Sequence, residues 1–132
     1  MIVPDASAVL EVLLRTPAAD SIGRRLLSAR ETLHAPHLLD LEVAQVLRRY
    51  CAIGDLTAER GVEALEDLAD FPLVRYPHGP FLKRIWELRG HVTAYDAAYL
   101  ALAEALGAPL VTCDRALVRA GGHRARVELA GA

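Results

Sequence analysis

Residues 107–115 read Gly-Ala-Pro-Leu-Val-Thr-Cys-Asp-Arg, and this stretch decides the fold class. Gly107 and Pro109 mark the end of a helix, because glycine adopts the left-handed conformation there and proline cannot continue the helix. Residues 110–112 then form a short apolar strand that leads to Asp114. The stretch therefore predicts a helix, a buried strand and an acidic residue at the carboxyl end of that strand.

The beginning of the chain shows a similar arrangement. Ile2 and Val3 form a short apolar run that ends at Asp5, and the composition of Ala6–Leu14 is helical. In an open parallel sheet the ligand site lies beyond the carboxyl ends of the strands. Because Asp5 and Asp114 are both expected at that end, the sequence predicts two carboxylates at one edge of a sheet.

Short strands and helices alternate through the rest of the chain. We predict further strands at Leu33–Ala35 and Leu73–Tyr76, and an edge strand at Arg126–Leu129. Helices are predicted from Thr16, as N-cap, to about Arg30, and over about 38–51, 57–69, 81–89, 95–106 and 115–120. This alternation indicates an α/β fold in which helices cover both faces of a parallel sheet. Residues 1–132 are predicted to form a single domain.

The composition is that of a globular protein. Hydrophobic residues make up 53% of the 132 residues, and no run of about 18 apolar residues that could span a membrane occurs. The N-terminus lacks the basic start and cleavage site of a secretory signal, so we expect a cytoplasmic protein. The two cysteines, Cys51 and Cys113, are too few for a disulfide scaffold and are expected to be reduced.

The charge balance limits how the chain could bind a nucleic acid. The formal net charge is −2, and Lys83 is the only lysine among 15 basic residues. This balance argues against binding that depends mainly on bulk charge, but arginine can hold a phosphate locally through two donors. Arg115 and Arg119 are the candidates for such contacts with nucleic-acid phosphates, although a solvated surface explains their presence equally well.

Four acidic residues are the candidates for a catalytic site: Asp5, Glu42, Asp96 and Asp114. Glu42 and Asp96 have apolar neighbours at helical spacing, which indicates that both lie on or near buried helix faces. A buried carboxylate must be paired, protonated or bound to a metal. The alternatives are that Asp5 and Asp114 only cap the following helices, and that Glu42 and Asp96 form ion pairs with arginine.

A metal ion would allow four carboxylates to share one pocket. Mg²⁺ or Mn²⁺ suits an all-oxygen ligand set, and the chain has no Cys/His cluster that would favour zinc. Such ions support phosphodiester hydrolysis by activating water and stabilising the leaving oxygen. Ser7 and Thr112 lie two residues from Asp5 and Asp114 and could hold a carboxylate or a water molecule; a local turn bond is the alternative.

With these residues the sequence resembles the PIN-domain ribonucleases, and within them the VapC-type toxins of bacterial toxin–antitoxin pairs. The resemblance extends from Ile2 to about Val127 and rests on four segments in order. They are Ile2–Ala8, Leu38–Val43, Thr93–Ala103 and Gly107–Arg115, and each contains one of the four acids. Thr93–Ala103, which reads Thr-Ala-Tyr-Asp-Ala-Ala-Tyr-Leu-Ala-Leu-Ala, is the most specific of the four.

The resemblance implies a fold, an activity and partners. The expected fold is a three-layer α/β/α sandwich with a short central parallel sheet of four to five strands. The expected activity is Mg²⁺- or Mn²⁺-dependent endonucleolytic cleavage of RNA, with Asp5, Glu42, Asp96 and Asp114 at the acidic positions of the family. The implied partners are a second copy of the chain, in a homodimer, and a small antitoxin protein that blocks the site.

Two positions depart from the pattern of the family. Where an Asn often follows the glutamate by three residues, this chain has Gln45, and it contains no Asn at all. Where some relatives carry a further acid shortly after the last aspartate, this chain has Leu117. Neither change removes one of the four acids, but the two leave the number of bound metal ions open.

The helices predicted at 38–51 and 57–69 are expected to pair around Gly54 and Asp55. Together they contain more apolar residues than a single core face needs. This surplus could form a groove for an antitoxin helix or a dimer face, and core packing is the alternative.

Other functions fit parts of the pattern. An aspartate-dependent phosphatase also has an Asp after its first strand, but normally a second Asp follows two residues later, with a lysine downstream. Here position 7 is Ser and Lys83 falls in a predicted helix. A phospho-receiver domain is excluded for a similar reason, because such a domain needs a lysine after its last strand and this chain has none there. A catalytically degenerate PIN-like interaction module would usually have lost an acid, and all four are present.

Overall fold

The computed structural model describes residues 1–131, in which five strands are separated by helices. The strands are β1 (Val3–Pro4), β2 (Leu33–Pro36), β3 (Leu73–Tyr76), β4 (Leu110–Thr112) and β5 (Val127–Leu129). The helices are α1 (Ala6–Leu13), α2 (Ala19–Leu26), α3 (Leu38–Ala52), α4 (Ala58–Asp70), α5 (Leu82–Glu87), α6 (Ala94–Leu106) and α7 (Arg115–Arg119). The predicted alternation of strands and helices is confirmed.

All of the strand pairs are parallel. In the order β1-β4-β5, Val3 pairs with Leu110, and Leu110 pairs with Val127. Strands β2 and β3 form a separate pair, and an isolated bridge between Ile2 and Leu33 joins this pair to β1. The strand order is therefore β3-β2-β1-β4-β5, with β1 in the centre and the predicted edge strand, β5, at one side.

Apolar side chains pack on both faces of this sheet. Val3 and Leu110 belong to the larger of two buried clusters, whereas their neighbours Ile2 and Val111 belong to the smaller one. Successive strand residues point to opposite faces, so the two clusters lie on opposite sides of the sheet. The larger cluster includes residues of α1, α3, α4 and α6, and the smaller one includes residues of α2. The three-layer α/β/α sandwich is confirmed.

The segment after α1 differs from the prediction. Thr16 does not cap α2; its hydroxyl is hydrogen-bonded to Glu11, and the helix begins only at Ala19. The predicted end near Arg30 is also wrong, because α2 stops at Leu26. The four residues after Leu26 are exposed, so a further helical turn would gain no packing against the core.

Helices α3 and α4 pair as expected, but they do not bury all of their apolar residues. The face of α4 that is buried consists of Gly61, Ala64 and Leu68. Val62 and Leu65 remain 57% and 42% exposed. The apolar surplus of this pair is therefore partly on the surface.

Two further predictions concern the chain as a whole. Within residues 1–131 no helix is both long and apolar enough to cross a membrane. Cys51 and Cys113 are free thiols, as the sequence predicted.

Candidate active site

Asp5 and Asp114 lie at the same edge of the sheet, because each follows one of two adjacent parallel strands, β1 and β4. Each also caps a helix. Asp5 Oδ1 accepts the backbone N–H of Ala8 at 3.1 Å, and Asp114 Oδ1 accepts that of Ala116 at 2.8 Å. The capping role suggested by the sequence is thus correct, but it occupies only one oxygen of each carboxylate.

Glu42 and Asp96 come from two helices that meet beside this edge. Glu42 is in the second turn of α3, and Asp96 is in the first turn of α6, where its backbone N–H donates to the N-cap Thr93 at 3.1 Å. Tyr99 donates its phenolic hydrogen to Glu42 Oε1 at 2.6 Å and is 1% exposed. Tyr99 follows Asp96 by three residues, and its contact with Glu42 was not predicted from the sequence.

One cavity of about 340 Å³ is lined by all four acids: Asp5, Glu42, Asp96 and Asp114. Its remaining wall comes mainly from α1 and from the last turn of α3, including Glu11 and Arg49. Arg49 is a second residue that the sequence analysis missed, although it lies two turns after Glu42 on the same helix face. The structure therefore brings together the four acids that the sequence selected.

None of these four carboxylates has a basic partner among residues 1–131. Six arginines and the N-terminal amine pair with other acids, and in the described residues no Arg, Lys or His nitrogen lies within 4.0 Å of a carboxylate oxygen of the four. The alternative that Glu42 and Asp96 are partners in arginine ion pairs is therefore wrong. The cavity has a local excess of negative charge.

The pKa values of three of the four acids are raised above their ordinary values. Burial raises the pKa of Asp5, Glu42 and Asp96, since loss of hydration disfavours the charged form. Repulsion adds to the effect: Asp114 raises the pKa of both Asp5 and Asp96, and Asp5 raises that of Glu42. The N-termini of α1, α6 and α7 carry partial positive charge and offset only part of this repulsion.

Ser7 and Thr112 hold Asp5 in place. Ser7 Oγ donates to Asp5 Oδ1 at 2.6 Å, and Thr112 Oγ1 donates to Asp5 Oδ2 at 2.5 Å. The same two hydroxyl oxygens accept the backbone N–H groups of Cys113 and Asp114 at 2.9 and 3.0 Å. These contacts connect β1 with β4, so they are more than the local turn bonds that the sequence also allowed.

The donor set suits a hard divalent cation, because it consists of carboxylate oxygens and has no sulfur or imidazole ligand. As the side chains stand, however, no three His, Cys, Asp or Glu groups within the described part of the chain converge closely enough to hold a metal ion. Like charges repel, so the four acids would have to draw together around an added cation. Their chemistry fits Mg²⁺ or Mn²⁺, and their spacing requires such a movement.

The two predicted RNA-binding arginines line two different cavities, each of which shares a lining residue with the acidic cavity. Arg119 lines an open cleft to which Asp96 also contributes. Arg115 lines a smaller cavity together with Cys113 and with Glu11, which also borders the acidic cavity. Binding of RNA by either arginine remains a prediction.

In a comparison with known protein families, the family model described as PIN domain matches residues 2–122 of this chain. The chain belongs to the PIN-domain family. All four acids lie within the matched segment. The resemblance that the four sequence segments suggested is confirmed.

This PIN domain is similar to ribonucleases of Mycobacterium tuberculosis. It is 46% identical over 121 residues to Ribonuclease VapC9, which covers 92% of this chain and 91% of the relative. It is 42% identical over 129 residues to Ribonuclease VapC12, which covers 98% of both chains. The likeness extends over nearly the whole of both relatives, so the PIN domain is of the VapC type.

The fold is also found in a solved structure. A chain in the crystal structure of VapBC2 from Rickettsia felis, bound to a DNA fragment from their promoter, superposes with a TM-score of 0.71 at 16% identity. The match covers 98% of this chain and 99% of that one. At this identity the likeness concerns the fold alone.

Proposed function

We propose that this PIN domain is a Mg²⁺- or Mn²⁺-dependent endoribonuclease that acts in the cytoplasm as the toxin of a toxin–antitoxin pair. The observation that carries the proposal is the single cavity lined by Asp5, Glu42, Asp96 and Asp114, none of which has a basic partner in the described chain. The names of VapC9 and VapC12 support RNA as the substrate.

The four acids differ in how firmly they are held, and we assign their roles accordingly. A divalent cation, when bound, would supply Lewis acidity for phosphodiester hydrolysis. Asp5, fixed by three hydrogen bonds, and Asp114, on the adjacent strand, would hold it from the sheet. Glu42, oriented by Tyr99, would hold it from α3.

Asp96 would complete this ligand set. Its carboxylate has no hydrogen-bond donor among residues 1–131, which leaves both of its oxygens available to the cation or to the attacking water. We therefore expect Asp96 to have the largest effect on the rate of cleavage.

An acidic cavity repels RNA, so substrate binding needs positive charge nearby. Arg49, Arg115 and Arg119 line the cavity or its two neighbours. No carboxylate oxygen lies within 4.0 Å of their nitrogens in the described residues, which leaves them available for phosphates. Contacts of this kind position a nucleic acid without reading its sequence.

The antitoxin would be a small protein that covers the acidic cavity, and the chain would act as a homodimer. Exposed apolar residues on α3 and α4, namely Leu41, Val62 and Leu65, offer a surface for one of these contacts. The match to a chain of VapBC2 supports such a partner. Light scattering of the purified chain, alone and with the antitoxin, would measure both assemblies.

Cleavage of a mixed bacterial RNA pool tests the proposal. The partner-free chain would be incubated with Mg²⁺, Mn²⁺ or EDTA, beside Asp96→Asn and the matched control Glu66→Gln, which neutralises an exposed acid on α4. Metal-dependent fragments that disappear only in Asp96→Asn would support the proposal. If neither metal binding nor cleavage were observed, the chain would be the degenerate interaction module.

An aspartate-dependent phosphatase would behave differently in an assay of the same purified, partner-free chain. It requires a lysine beside the nucleophilic Asp, whereas the cavity contains no lysine and Lys83 lies exposed on α5. Release of inorganic phosphate from a phosphomonoester, without cleavage of RNA, would favour that alternative.

A further inference from the structure

A second, more open cleft of about 710 Å³ adjoins the acidic cavity, and Asp96 lines both. The cleft lies between the segment after α5 and helix α7. Its lining includes three side chains that can donate hydrogen bonds to a phosphate: Arg89, His91 and Arg119. A strand of RNA that leaves the acidic cavity past Asp96 would enter this cleft directly.

The two arginines of the cleft form no ion pair within residues 1–131. Neither Arg89 nor Arg119 has a carboxylate oxygen within 4.0 Å in the described chain, and both are exposed. Six other arginines do pair with acids: Arg15, Arg25, Arg60, Arg75, Arg84 and Arg126. The cleft therefore contains positive charge without a counterion from the protein.

Arg89 is fixed in position by an aromatic ring. Its guanidinium carbon lies 4.7 Å from the centre of the Trp86 ring, and its Nη1 donates to the Trp86 carbonyl oxygen at 3.0 Å. Trp86 is nevertheless 67% exposed. Arg89 covers one face of the ring and also lines the cleft, whereas Trp86 lies beside the cleft. The exposed part of Trp86 offers a surface on which a nucleotide base can stack, next to a cation that can hold the adjoining phosphate.

His91 is also held in place at the wall of the cleft. A Cβ added at Gly122 would lie 2.3 Å from a carbon of the His91 ring, so the ring rests against the backbone where only glycine leaves room. Gly122 has φ +82°, a conformation that other residues rarely adopt. The position of His91 thus depends on the absence of a side chain at residue 122.

We propose that the Trp86–Arg89 stack and the cleft beside Asp96 bind an unpaired nucleotide next to the phosphate that is cleaved. Trp86 stacks on the base, and Arg89, His91 and Arg119 contact the backbone phosphates. Sites for single-stranded nucleic acid combine cations with aromatic stacking surfaces in this way. Only an unpaired base can reach the ring, so the site selects single-stranded RNA. The inference rests on the proposed function and adds a specificity subsite to it.

The protein contains a spectroscopic probe at this position, because Trp86 is its only tryptophan. Intrinsic fluorescence would be titrated in EDTA, where the proposed nuclease is inactive, with short single-stranded oligo-U, oligo-A and oligo-C RNA. We expect quenching by at least one of them and none by a blunt RNA duplex. Fluorescence anisotropy of end-labelled RNA would measure affinity independently of the tryptophan.

Four variants distinguish RNA binding at this subsite from nonspecific attraction by the total charge of the protein. Trp86→Ala should weaken binding about tenfold while Trp86→Phe largely restores it, since phenylalanine also stacks. Arg119→Gln should weaken binding and lower the salt dependence by about one counterion. Arg24→Gln removes the same charge from an exposed arginine on α2 that has no carboxylate partner within residues 1–131, and it should have little effect. Thermal midpoints would show that the surface variants remain folded.

Three outcomes would overturn the inference. Equal losses in Arg119→Gln and Arg24→Gln would mean that only bulk charge matters. Binding of RNA without any change in Trp86 fluorescence would place the strand elsewhere. A fluorescence change seen only with a protein partner, never with RNA, would assign the cleft to that partner. RNA cleavage by the wild-type chain would be assayed in parallel. Cleavage in the absence of binding at the subsite would overturn the inference but leave the proposed ribonuclease function intact.

Discussion

Thr112 donates its hydroxyl hydrogen to Asp5 at 2.5 Å, although the two residues are 107 positions apart in the sequence. The same oxygen accepts the backbone N–H of Asp114. One fully buried hydroxyl therefore connects two of the four acids and fixes the ends of the strands that carry them.

Thr112→Val should test this connection, because valine keeps the shape and removes the hydroxyl. We expect a loss of about 1–3 kcal/mol in the free energy of unfolding, since Asp5 and the Asp114 N–H both lose a buried partner. Cleavage should fall by roughly 10- to 100-fold, as is typical when a group that orients a ligand is lost. Urea denaturation and RNA cleavage would measure the two effects, and Thr112→Ser, which keeps the hydroxyl, should restore most of the activity.

Asp96→Asn should abolish cleavage yet stabilise the metal-free protein at neutral pH. An acid whose pKa is raised on folding costs nothing when it is protonated in both states. It destabilises the fold progressively as the pH rises above its unfolded pKa, and the full cost is reached above its folded pKa. The gain should be at most about 1 kcal/mol, because the group is half-buried and partly screened by water. It should shrink as the pH falls toward the ordinary aspartate value of 3.8. A large loss of stability at neutral pH would instead identify Asp96 as a structural residue.

Tyr99→Phe should shift the pH dependence of cleavage. The phenolic hydrogen bond lowers the pKa of Glu42, so its removal should raise that pKa further. Activity that requires ionised Glu42 should then be lost at a higher pH during acidification, with a rate roughly tenfold lower at neutral pH. A pH–rate profile of both proteins would measure the shift. An unchanged acidic limb would show that Glu42 does not need to be ionised.

Mg²⁺ or Mn²⁺ should raise the melting temperature of the wild-type chain. A ligand that binds only the folded state stabilises it by about 2.7 kcal/mol at a concentration 100 times its dissociation constant. Asp5→Asn should remove most of this response, whereas Glu66→Gln should retain it. The response should also weaken on acidification, because carboxylates must be ionised to hold a metal. An equal response in Asp5→Asn would mean that the ion binds elsewhere.

The parts of the site that were predictable from sequence depend on local chain geometry. An acid within two residues of the end of a short apolar strand lies at the sheet edge, which is why Asp5 and Asp114 could be placed in advance. The contact between Tyr99 and Glu42 could not, because it depends on how α3 and α6 cross, 57 positions apart. The clearest missed signal is that Tyr99 lies one turn after Asp96.

The error at Thr16 has a physical cause. Thr16 has the sequence of an N-cap, but its hydroxyl is hydrogen-bonded to Glu11 of the preceding helix. The separation of Arg115 and Arg119 was also not apparent from the sequence. They lie four residues apart, about 6 Å along a helix axis, yet they line different cavities.

The sheet is weakest between β1 and β2, where only Ile2 contributes backbone bonds: its N–H donates to Thr32 and its carbonyl accepts from His34, each at 2.9 Å. Asp5 and Asp114 follow β1 and β4, on one side of the junction between β1 and β2, and Glu42 follows β2, on the other side. A cation bound by acids from both sides would therefore hold the two parts of the sheet together. Amide hydrogen exchange at Ile2 and His34 should therefore slow when Mg²⁺ is added, which would make these two amides a readout of how tightly the acidic cavity is closed.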